Sequence, residues 1–133
     1  MNTASDHLLW VGQAEQDLQQ AEDSMRAGRY EWAAYAAQQS AEKNLKGVLI
    51  LAGAKFEYTH QLALLARQIE EAGIPTAELP SQDDLLLLAE QNQLARYPMN
   101  DLAPKDAVTE NRATQAIQTA QRVEQFTQAL LKG

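Results

Sequence analysis

The sequence predicts an all-α fold, an up-and-down four-helix bundle with one additional short helix, five helices in all. Three observations carry that prediction. Apolar residues recur at spacings of three and four along most of the chain, the period of one helix face. No segment alternates with the period of two that a half-buried strand requires. The 6 glycines and 4 prolines fall largely at the joints between periodic stretches, where helices stop and turns begin.

The elements follow in order. Val11, Ala14, Leu18, Ala21 and Met25 mark the apolar stripe of a first helix from about Ser5 to Ala27, with Gly28 placed to end it. A second helix begins near Tyr30 or Glu31, carries Ala34, Ala37, Ala41, Leu45, Val48 and Ala52 on one face, and closes at Gly53. Lys55-Phe56-Glu57-Tyr58 reads as a loop. Thr59 is the expected N-cap of a third helix with Leu62, Leu65, Ile69 and Ala72 in register, stopped by Gly73-Ile74-Pro75. Ser81-Gln82-Asp83-Asp84 resembles a capping box with Asp in place of Glu, and opens a fourth helix through Leu85–Ala89 to about Arg96. The last helix starts between Pro104 and Thr109 and carries Ala113, Ile117, Ala120, Val123, Phe126 and Leu130. Alanine-rich faces allow close approach of helix axes but bury less area per residue than leucine faces. A dimer interface would bury more, with Trp10, Trp32 and Tyr35 as candidates to line it; the alternative is that the tryptophans complete the monomer core.

Composition narrows the function. At 133 residues the chain is read as one domain, residues 1–133. With no cysteine there is no thiol nucleophile and no Cys-based zinc site. The N-terminal stretch lacks a signal-peptide pattern and no run is long enough to span a membrane, so a cytoplasmic protein is expected. Lys+Arg is 11 against Asp+Glu 18, a net charge of −7, and the cations are scattered singly, which disfavours free DNA or RNA as a ligand. His7 and His60 share no metal-ligand spacing, so neither a metal nor a cofactor is expected. There is no nucleophile elbow, phosphate-binding glycine loop or dinucleotide fingerprint, and no catalytic residue is assigned.

Two stretches carry candidate chemistry. On helix two, Gln38, Glu42 and Lys46 stack at spacings of four, as do Gln39 and Lys43. They form either a solvated polar face or a surface that brings Lys43 and Lys46 to an anionic ligand or a partner. His60 either bonds a loop group at a helix entrance or faces a ligand. In the second stretch, Gln93–Asp101, Pro98 forces the helix to stop near Arg96 or Tyr97. A cation in a last helical turn gains roughly 0.3–1 kcal/mol from the dipole, so Arg96 serves either as a cap or as a planar donor fork for phosphate.

In order and spacing these pieces resemble the HEPN domain family. They are Trp10 with Ala14, Asp17-Leu18 and Ala21; Arg29–Ala34 leading into Gln38–Lys46; Thr59-His60-Gln61-Leu62; and Arg96-Tyr97-Pro98. The resemblance covers nearly the whole chain. It implies a helical bundle that homodimerises and pairs with a small nucleotidyltransferase, in toxin–antitoxin-like or nucleotide-handling modules. Many members of the family are ribonucleases with an arginine followed, after four to six residues, by a histidine. Neither Arg96 nor Arg112 has a histidine at that separation. Asparagine or aspartate is a poor general acid–base for a 2′-hydroxyl near neutral pH, so the ribonuclease activity is not carried over. The resemblance is thus to the branch with the Arg-Tyr-Pro element and without the ribonuclease motif. The function expected is a non-catalytic module binding a nucleotidyltransferase partner, a nucleotide, or both, with Arg96, Tyr97, Lys43, Lys46 and His60 as contact residues. The alternatives are a ribonuclease toxin with a diverged site and a purely structural oligomerisation domain.

Overall fold

A computed structural model describes residues 6–56 and 58–133, and within them every regular element is helical. In chain order these are α1 (Asp6–Arg26), α2 (Tyr30–Leu51), α3 (Leu62–Glu71), α4 (Gln82–Leu94), α5 (Pro104–Ala107) and α6 (Glu110–Lys132). The expected start of the first helix at Ser5 and residue Glu57 of the expected loop lie outside the described residues. The interval between Pro104 and Thr109 holds both a single turn of helix and the start of the last long one. Val108 separates them in extended backbone, and the Thr109 hydroxyl accepts the Arg112 N–H as N-cap of α6.

The glycine stops are as expected. Gly28, Gly53 and Gly73 each take positive φ, and in each case the next residue donates its N–H back across the last turn: Arg29 to Ser24, Ala54 to Leu49, Ile74 to Ile69. This six-to-one closure needs a left-handed residue, which glycine supplies without a Cβ clash. Ser81 caps α4 by accepting the Asp84 N–H at 3.1 Å. Thr59 is not the cap of α3, however. Gln61 occupies that position, and the Thr59 hydroxyl accepts the Gln61 N–H at 3.1 Å in a turn before the helix begins.

The predicted stripes are buried: Val11, Ala14, Leu18 and Ala21 on α1, Ala34 to Val48 on α2, Leu62, Leu65 and Ile69 on α3, and Ala113 to Phe126 on α6; on α4 the buried leucines are Leu85 and Leu88. Ala52 and Ala72 are exposed, because each is the C-cap beyond the last packed turn. The main difference concerns α2. It packs against α1, α3, α4, α5 and α6, and so is covered nearly all round. Its polar residues Gln38, Ser40, Glu42, Asn44 and Lys46 are therefore buried rather than solvated. Gly47 lets α1 approach closely: a Cβ there would sit 3.0 Å from Val11 Cγ2 and 3.4 Å from Trp10 Cβ. Trp10 meets Phe56 edge-on at 5.5 Å, whereas Trp32 is 50% exposed.

Candidate functional site

Burying the polar ladder of α2 forces its groups to satisfy one another. Glu42, 6% exposed, sits at the centre. Its Oε2 accepts Lys46 Nζ at 2.8 Å; its Oε1 accepts Gln38 Nε2 at 3.0 Å and pairs with His60 Nδ1 at 2.7 Å. Burial alone would raise this carboxyl, but the hydrogen bonds from Lys46, His60 and Gln38 outweigh it and hold Glu42 below its ordinary value of 4.5. Lys46, 5% exposed, is roofed by Trp10 and Phe56, whose ring centres lie 5.9 and 5.4 Å from Nζ. Its ammonium is thus an internal counter-ion, not a surface contact.

From Glu42 the network runs toward Arg96. Gln38 Oε1 accepts from Asn92 Nδ2 at 3.1 Å and from Gln39 Nε2 at 2.8 Å. Arg96 donates Nε to the Asn92 backbone carbonyl at 2.7 Å and Nη2 to Asn92 Oδ1 at 2.6 Å. Every link donates in the same sense, from the guanidinium through two amides to the carboxylate. The predicted capping role of Arg96 is realised, since Asn92 O belongs to the last turn of α4. The same two bonds pin one side of the guanidinium and turn the other outward. Its carbon lies 5.1 Å from the Tyr35 ring centre and 5.0 Å from that of Tyr97. Tyr35 in turn meets Trp32 edge-on at 6.2 Å. The result is a ladder Trp32–Tyr35–Arg96–Tyr97, open at both ends, with Tyr97 53% exposed. Among the described residues Arg96 Nη1 takes no hydrogen bond, leaving a preorganised donor edge between two aromatic faces.

Directly after the ladder the chain makes a tight hairpin. Met99 and Leu102 exchange both backbone hydrogen bonds at 3.0 Å, and Asn100 and Asp101 between them take φ of 53° and 63°. Two positive φ values in a two-residue loop are the signature of a type I′ turn.

The predicted site residues therefore divide. Arg96, Lys46 and His60 join one network, although only Arg96 and His60 reach the surface. Tyr97 stacks on Arg96. Lys43 stands outside this network and pairs with Asp17 of α1 at 2.6 Å. It lines a groove of about 410 Å³ with Asp17, Gln20, Trp32, Tyr35, Ala36 and Gln39. Tyr35 is common to the groove and the ladder, so Lys43 borders the same surface as Arg96. Sequence reasoning missed Gln38 and Asn92 as the links and Tyr35 as the second stacking ring. The spacing of Gln38, Glu42 and Lys46 was visible, but their cross-helix partners were not. No group of three or more His, Asp or Glu residues among those described could hold a metal ion. No described helix is long and apolar enough to cross a membrane.

The HEPN domain profile matches residues 7–130. No curated protein sequence matches. A crystal structure of a Thermus thermophilus protein is 29% identical with a TM-score of 0.77, covering 97% of this chain and 98% of that one. An archaeal HEPN homologue is 26% identical at a TM-score of 0.70, with 98% of each chain covered. An HEPN domain protein from Thermotoga maritima shares the fold at 23% identity and a TM-score of 0.69, over 92% of this chain and 97% of that one. The match spans all six helices, the buried ladder on α2 and the Arg96 turn alike, and the chain belongs to the HEPN domain family.

Proposed function

We propose that this HEPN chain is a non-catalytic, homodimerising helical module that docks a nucleotidyltransferase partner, or a nucleotide, in a toxin–antitoxin-like pair. The contact surface is the Trp32–Tyr35–Arg96–Tyr97 ladder with Lys43 at its border. The observation that carries this is the free edge of Arg96: a guanidinium held on one side by Asn92 and flanked by two rings has little freedom left to lose on binding an anion. Such an edge suits a phosphate oxygen or a carboxylate of a partner, while Trp32 and Tyr97 offer exposed faces to a base or an apolar side chain. Lys46 leaves the proposed surface, because it is buried against Glu42.

The test is affinity purification of the tagged protein from its own host, with co-purifying proteins and small molecules identified by mass spectrometry. Arg96→Ala and Trp32→Ala run in parallel, and sedimentation of the pure protein reports its oligomeric state. A nucleotidyltransferase or nucleotide retained by wild type and lost from both variants is the expected result. Retention by both variants would place the contact elsewhere, and a monomer without ligand would remove the proposal.

A further inference from the structure

His60 is held by a different logic from Arg96. It lies in the link between α2 and α3 and meets the bundle through Nδ1, 2.7 Å from Glu42 Oε1. The Glu42 carboxylate is held in its charged form and can only accept, so the hydrogen in this contact belongs to Nδ1, and Nε2 is the nitrogen that can present a lone pair. The His60 side chain is 59% exposed, and among the described residues Nε2 has no hydrogen-bond partner. Glu42 itself cannot swing with the loop, because Gln38 and Lys46 anchor it to α2 and Asn92 anchors Gln38 to α4. A buried carboxylate on Nδ1 raises the electron density on Nε2 and stabilises the positive ring that forms when Nε2 attacks an electrophile. His7, the other histidine, has a buried Nδ1 with no hydrogen-bond partner among the described residues.

We propose that Nε2 of His60 is a phosphoryl-acceptor site, activated by Glu42 and independent of the surface at Arg96. Its donors are phosphoryl compounds with a good leaving group, the acyl phosphates and phosphoramidates. The Nε2 lone pair attacks phosphorus and forms the N–P bond, and the bond from phosphorus to the leaving group breaks with its electron pair going to that group. The ring then carries the positive charge, offset by Glu42 through Nδ1–H. Phosphoryl transfer passes through a loose transition state with little covalent chemistry asked of the protein, which leaves an accessible nucleophile in line with the leaving group as the contribution of His60.

The experiment incubates the intact protein with phosphoramidate near neutral pH. Label is located by mass spectrometry without acid, and phosphorus NMR separates Nε2 from Nδ1 adducts. Wild type should label at Nε2 of His60 about 10-fold faster than a free peptide spanning residues 58–62, the low end of what losing a carboxylate partner costs a metal-ligating histidine. His60→Gln should abolish that label, and Glu42→Gln should remove most of the rate advantage. Labelling no faster than the peptide, labelling at Nδ1, or an unchanged rate in a folded Glu42→Gln variant would each overturn the proposal. Should Glu42→Gln not fold, the comparison of wild type with the peptide decides alone.

Discussion

Removing the charge from Glu42 tests the buried network most directly. The carboxylate and the Lys46 ammonium meet at 2.8 Å with both side chains 7% exposed, so neither charge can turn to water when its partner is lost. In Glu42→Gln the new amide has one acceptor oxygen for three donors, those of Lys46, Gln38 and His60, and its own amide hydrogens must face one of them. Breaking a buried pair typically costs ~3–5 kcal/mol, and the retained acceptor places this variant at about 3 kcal/mol. Lys46→Met leaves Glu42 with two donors and should cost roughly 2–3 kcal/mol. The double variant Glu42→Gln/Lys46→Met removes both charges together. It should cost only about 1–3 kcal/mol, the usual penalty for a buried donor left unmade, here the amide N–H groups of the new Gln side chain. The two single costs together should therefore exceed the double by roughly 2–5 kcal/mol. Urea unfolding followed by helical circular dichroism measures each term. Additivity within about 0.5 kcal/mol would refute the reasoning, since independent sites behave that way.

The same cycle has a pH signature. The folded-state carboxyl of Glu42 lies below its ordinary value, so its contribution is complete above 4.5 and is lost as pH falls through the lower folded value. The gap between wild type and Glu42→Gln should accordingly be widest near neutrality and close in acid.

Three further predictions follow from local geometry. Glu124 is shifted the other way, raised by burial first and then by the charges of Glu15 and Glu22, so its folded state favours the proton. It is a stability cost that grows as pH rises through the folded value, and Glu124→Gln should raise the melting temperature at neutral pH but not in acid. Gly47→Ala gains about 1 kcal/mol of helix propensity but forces a Cβ to 3.0 Å from the buried Val11, so overpacking of about 1–3 kcal/mol should win and chemical denaturation should show a net loss. Asp101→Gly turns the hairpin into Asn-Gly, the preferred type I′ pair, and should stabilise by roughly 0.5–1 kcal/mol in the same assay; a loss would argue against that turn.

How much of this was legible beforehand depended on the range of the physics involved. Helix stops and caps act within a turn or so, and Gly28, Gly53, Gly73 and Ser81 each did what their neighbours dictated. Thr59 was the exception: its hydroxyl found an acceptable N–H two residues ahead, and the helix began later. The apolar rhythm likewise located the buried stripes on α1, α3 and α6, because one face of a surface helix is all that such a rhythm has to describe.

The sequence by itself determined the all-α class, the positions of the helices, the absence of a ribonuclease-type histidine after Arg96 or Arg112, and the family. Only the tertiary structure decided what the polar residues do. Spacing shows that Gln38, Glu42 and Lys46 share a face of α2, but not whether that face meets water or another helix. Five helices surround α2, and their covering turns a solvated ladder into a buried network. The contacts that define the candidate sites cross between elements: Asn92 to Gln38, Lys43 to Asp17, Arg96 over Tyr35, His60 to Glu42. Such pairings are set by how helices pack, and packing depends on the summed burial of the whole core rather than on any signal within one stretch of chain.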